Sequence, residues 1–136
     1  GNIVDDHITI NGVRIAYTLS GNGHTIVLLH GWMCNRKFWK EQIRFFSETH
    51  QVLALDFRGH GNSDLPEGGY TLEQLADDVY SVIKGLGINQ AVVVGHSMGG
   101  MVAQQFCITH MECVSGLILV TTIAADIEAC LISKRI

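Results

Sequence analysis

The stretch QAVVVGHSMGGMVAQ, residues 90–104, constrains the fold more than any other. The uninterrupted apolar run Ala91–Val94 reads as a strand buried on both faces. MGGMVAQQFCITH, residues 98–110, reads as a helix. Between them stands only Gly95-His96-Ser97-Met98-Gly99, a G-x-S-x-G pattern with no room for a loop. Such a turn is sharp, and a side chain at Gly95 or Gly99 would collide across it. Ser97 is thereby lifted above the carboxyl end of the strands, where open α/β sheets bind ligands. The helix aims its first N–H groups and its positive dipole end at that serine. Ser97 is therefore a candidate nucleophile. A dinucleotide-binding turn would need glycine in its place, and the Gly-Lys-Ser/Thr of a phosphate loop is absent.

The rest of the chain repeats the same design. Asn11-Gly12 separates two alternating segments and predicts antiparallel strands at about 7–10 and 13–19. TIVLLHG (25–31) and QVLALDFRGHG (51–61) are apolar runs with glycine-containing exits. NRKFWKEQIRFFSETH (35–50) has helical spacing, with Asn35 as its cap. Thr71 opens a further helix with the capping-box form TLEQ, and Gly85 or Gly87 ends it. VSGLILVTT (114–122) is the last clear strand. Alternating strands and helices predict an α/β fold: a mostly parallel sheet, helices on both faces and an amino-terminal antiparallel hairpin. No linker or repeat divides residues 1–136, which read as one domain.

Composition sets the class. No apolar run is long enough to span a bilayer, and Asn2, Asp5, Asp6 and His7 interrupt any leader-like opening. The net charge of −4 disfavours nucleic acid or an anionic membrane as partner. Cys34, Cys107, Cys113 and Cys130 lack metal-type spacing and read as buried thiols of a reducing compartment. The chain is expected to be soluble and cytoplasmic, with no metal and no cofactor.

Two further segments bear on Ser97. His30-Gly31-Trp32 lets the chain turn back over the sheet, so that the Trp32 N–H faces the serine. With the Met98 N–H it makes a two-donor oxyanion hole. DFRGHGNSD (56–64) is rich in turn formers, and Asp56, Arg58, His60 and Asp64 are read as loop braces without a chemical role.

HGW at 30–32, DFRGHGNSD at 56–64 and GHSMGG at 95–100 together resemble the α/β-hydrolase superfamily. The nearest members are carboxylesterase, lactonase and cofactor-free haloperoxidase-like serine hydrolases. The resemblance covers nearly the whole chain. It implies Ser97 as nucleophile, an acyl-enzyme from a carboxylic ester or related small acyl substrate, and Trp32 and Met98 as oxyanion donors. It also implies that His30 and His96 are not the catalytic histidine. Members of the superfamily continue with a lid and two more strands that carry the catalytic acid and histidine. The match is thus to an amino-terminal half, truncated after the sixth strand at IAADIEACLISKRI.

A serine hydroxyl needs a base. The order in this fold is Ser, then Asp or Glu, then His, and the only histidine after Ser97 is His110. It ends the helix that Ser97 begins, about 20 Å away at 1.5 Å per residue. Asp126 lies just past the last predicted strand, where it is either an acid-like group or a loop carboxylate. The acid and histidine are therefore expected outside this chain. The apolar edge of GLILV is expected to be bare, a template for a second copy or a complementing carboxyl-terminal chain. The alternative is an inactive hydrolase fold that binds a ligand or dimerises. Trp32, Met33 and Met98 suggest an apolar acyl side.

Overall fold

The computed structural model describes residues 2–123 and 126–132, with side chains described as far as Thr121. Seven strands form one sheet in the order β1-β2-β4-β3-β5-β6-β7. Strands β1 (Ile3–Ile10) and β2 (Val13–Ser20) are the antiparallel hairpin. Asn11 and Gly12 both take positive φ, 50° and 76°, as a tight two-residue hairpin turn demands. β3 (Thr25–Leu29), β4 (Gln51–Leu55), β5 (Ala91–His96) and β6 (Val114–Ile123) pair in parallel as β4-β3-β5-β6. β2 joins this block antiparallel to β4.

Each parallel strand feeds both faces of the sheet, which is why these runs read as continuous hydrophobics. Val27 and Leu29 point to one side with Leu53, Leu55 and Val93. Helices α2 (Leu72–Gly85) and α3 (Met98–Thr109) cover that side. Ile26, Leu28, Val52, Ala54 and Val94 point to the other. There they meet Trp39, from a 3-10 turn at Arg36–Trp39, and Ile43 of α1 (Lys40–Phe46). Asn35 Oδ1 accepts from Lys37 N–H at 2.9 Å and starts that turn, so the predicted helix opens as 3-10 and becomes α one turn later.

Helix α2 begins where TLEQ places it. Thr71 Oγ1 accepts from Gln74 N–H at 3.1 Å. The reciprocal half of a capping box is not made, because the Gln74 amide donates to Asp78 instead. Gly87, at φ 75°, is the residue that ends the helix, and Ile88 N–H donates back to Ile83 O at 2.8 Å.

One expectation is overturned. The edge of β6 is not bare: β7 (Asp126–Ile132) pairs with it antiparallel, from Leu117 opposite Ile132 to Ile123 opposite Asp126. The unpaired N–H and C=O groups of an apolar strand are satisfied by the chain's own return. Asp126 opens that strand, and its carboxylate lies outside the described side chains. Cys113 is buried as expected, while Cys34 and Cys107 are only half-buried, and the Cys130 side chain lies outside the described ones. No helix among the described residues is long and apolar enough to cross a membrane.

Candidate active site

Ser97 sits between β5 and α3 with φ 55° and ψ −118°. Non-glycine residues rarely adopt positive φ, and a serine held there is strained. Its surroundings leave no other course. A Cβ on Gly95 would lie 2.3 Å from Gly99 O, and one on Gly99 would lie 2.2 Å from Leu29 O. Both glycines are therefore required by backbone packing, Gly95 against the first turn of α3 and Gly99 against the end of β3. Ser97 N–H donates to Val120 O at 3.3 Å, tying the turn to β6. The side chain is exposed at the carboxyl end of the parallel strands.

The HGW segment reaches the same place from β3. A Cβ on Gly31 would stand 3.2 Å from Ser97 Cβ and 3.1 Å from His96 Nδ1. Glycine is what lets this turn close on the serine. The turn is completed by Cys34 N–H donating to Gly31 O at 3.2 Å, with Met33 at φ 64°. Among the described residues, neither Trp32 N–H nor Met98 N–H donates to an acceptor. Two unengaged backbone donors thus stand next to this contact in the chain, Trp32 after Gly31 and Met98 after Ser97. The Met98 side chain, expected on an acyl side, is instead buried in the core under α3.

The histidines do different work. His30 is fully buried, and its Nε2 accepts from Phe57 N–H at 3.1 Å. The proton must then be on Nδ1, which donates to Gly31 O at 2.7 Å. Burial lowers its pKa to about 4, although the hydrogen bond to Gly31 O acts the other way. His30 is thus a neutral strut between the exits of β3 and β4. His96 stacks on Phe38 at 4.5 Å, and burial lowers its pKa. His60 lies against Trp32 at 5.0 Å, and its Nδ1 is 3.1 Å from Arg58 O. His110 stacks on Tyr80 at 4.0 Å and meets Asp77 at 3.1 Å, a whole helix away from Ser97. His24 and His50 precede β3 and β4 at the opposite end of the sheet, and His7 is on the hairpin.

The 56–64 loop is braced, as its composition suggests. Asp56, fully buried, accepts from Arg36 N–H and Nη1, both at 2.6 Å, and from Asn62 N–H at 2.8 Å. Arg58 makes a two-pronged pair with Asp78 of α2 at 2.6 and 2.8 Å. Asp64 accepts from Arg14 N–H at 2.9 Å and Ser63 Oγ from Ala16 N–H at 2.9 Å, so the loop clips onto β2. Arg36 and Asp78 escaped the sequence reading because each lies some 20 residues from its partner. A buried-run aspartate followed by arginine signals only that partners must exist.

The order and pairing of the strands agree with the comparisons. The family model described as the alpha/beta hydrolase fold matches residues 24–132. This chain belongs to the α/β hydrolase family. The α/β hydrolases similar to it include a soluble epoxide hydrolase from Corynebacterium sp. (strain C12), 36% identical over 88% of this chain and 42% of that protein. Epoxide hydrolase 3 of Xenopus tropicalis is 37% identical over 80% of this chain and 31% of that protein. Among solved structures, Est816, described as an N-acyl homoserine lactone degrading enzyme, superposes with a TM-score of 0.83. It is 39% identical, over 85% of this chain and 45% of that one. The chain spans less than half the length of these α/β hydrolases.

Proposed function

We propose that this chain carries the nucleophile and oxyanion donors of a hydrolase acting on carboxylic esters or lactones through an acyl-serine at Ser97. The observation that carries the proposal is the exposed, strained serine packed against Gly31, with the N–H groups of Trp32 and Met98 unengaged among the described residues. In the reaction, Ser97 Oγ bonds to the carbonyl carbon and the π electrons move to the carbonyl oxygen. The N–H groups of Trp32 and Met98 receive that oxyanion. The serine proton passes to a base, the alkoxide leaving group departs protonated, and water later cleaves the acyl ester. His30 is held as a buried strut and His110 stands a whole helix from Ser97, so we assign the base and its carboxylate, as the family resemblance implies, to residues outside this chain.

The relatives named as epoxide hydrolases frame a choice that the nucleophile's chemistry decides. A serine hydroxyl opening an epoxide would form an ether, which water does not cleave at neutral pH. The same hydroxyl attacking a carbonyl forms an ester, which water does cleave. Serine at position 97 therefore favours acyl substrates, in the manner of a lactone-degrading relative.

The test is intact-mass analysis after incubation with p-nitrophenyl acetate or styrene oxide. The expected result is a slow acetyl adduct at Ser97, absent in Ser97→Ala, and no adduct from styrene oxide at that residue. Acetylation unchanged by Ser97→Ala would sink the assignment of the nucleophile. Rapid turnover by the chain alone would overturn the assignment of the base to other residues.

A further inference from the structure

Beside the HGW turn lies a groove of about 750 Å³ between that turn and the loop following β4. Its apolar lining is Trp32, Met33, Leu65, Pro66 and Tyr70. Three of these are large side chains left in solvent: Trp32 is 58% exposed, Met33 83% and Leu65 80%. A contiguous exposed apolar patch of this kind marks a binding surface. The floor is built. Trp32 packs edge-on against His60, and Tyr70 lies over Gly59, where a Cβ would come within 2.8 Å of its ring. The Tyr70 hydroxyl donates to Pro66 O at 2.6 Å and holds the far wall.

We propose that this groove receives the acyl chain of the substrate and makes the enzyme selective for medium-length, uncharged chains. The proposal rests on the acyl-serine reading, which it extends. Trp32 belongs to both places: it follows Gly31, which packs against Ser97, and it lines the groove. The strand order β4-β3-β5 puts the groove on the β4 side of the HGW turn and Ser97 on the β5 side. One strand spacing separates Ser97 from the HGW wall of the groove and two, about 10 Å, from its far wall. An acetyl group on Ser97 does not cross that distance, and an octanoyl chain does. No lysine or arginine lines the groove, and Glu67 stands in its wall, so a carboxylate tail is disfavoured there.

Tryptophan fluorescence tests binding without needing turnover. Trp39 is 2% exposed, so acrylamide quenching reports mainly on Trp32. Octanamide is expected to shift the emission to the blue and to protect Trp32 from quenching, while acetamide does neither. Leu65→Asn should weaken octanamide binding several-fold. In acylation, p-nitrophenyl octanoate should outpace the acetate ester, and Leu65→Asn should lower that ratio several-fold. Ile108→Asn, on the exposed face of α3, should leave the ratio unchanged. Octanamide without effect on Trp32, or a ratio unmoved by Leu65→Asn, overturns the proposal and gives the groove to a covering polypeptide segment. Protection of Trp32 by octanamide with ester adducts that persist unchanged in Ser97→Ala supports the groove and removes the acyl-serine reading instead.

Discussion

At Ser97 the backbone stores strain that serves the side chain's exposure. Glycine tolerates φ 55°, ψ −118° without the Cβ penalty. Ser97→Gly is therefore expected to stabilise the chain by about 1 kcal/mol, net of the added unfolded-state entropy, while abolishing acylation. Urea unfolding midpoints measure the first effect and intact mass the second. Two adjacent glycines separate packing from propensity. Gly99→Ala drives a Cβ into Leu29 O and should cost about 3 kcal/mol. At Gly100 the nearest atom to an added Cβ is Gly95 O at 3.4 Å, an ordinary contact, so Gly100→Ala should be neutral within about 1 kcal/mol. The G-x-S-x-G pattern made Ser97, Gly95 and Gly99 legible in the sequence, because its strand and helix leave one geometry for the turn. It did not reveal what Gly31 touches. That contact joins residues 66 positions apart, and only the folded sheet brings them together.

At the scale of elements, the loop after β4 is secured to α2 by one buried ion pair. Removing one partner leaves the other charge buried and uncompensated. Asp78→Ala should cost about 3–5 kcal/mol, and the double variant Arg58→Met/Asp78→Leu should recover most of it. Chemical denaturation of the single and double variants checks both. The hydrophobic patterns located the strands and α-helices through β6, because the hairpin strands alternate, β3–β6 are continuous apolar runs and α2 is striped. The hairpin strand β1 extends to Ile3, four residues beyond the predicted start, because pairing with β2 continues past the alternating pattern into Asp5 and Asp6. β7 lies beyond the last strand that the sequence predicts. IAADIEACLI carries no turn signal, and its strand character comes from the partner already waiting in β6.

Across the molecule, the neutral His30 makes stability depend on pH. Its folded pKa of about 4 lies below its value of about 6.5 in the unfolded chain, so the unfolded state takes up the proton first. The stabilisation is complete above about pH 6.5, shrinks as pH falls and is gone near pH 4, for a total of up to about 3 kcal/mol. Thermal melts across that window should show the decline, and His30→Gln, started from lower stability, should flatten it. The strand order carries a consequence for biosynthesis. β3 has β4 on one side, built from residues 51–55, but its other neighbour begins at Ala91. A nascent chain leaving the ribosome must hold its central strand half-flanked until β5 emerges. Ser97 is the next residue out, so the translation step that flanks the central strand on both sides also delivers the proposed nucleophile.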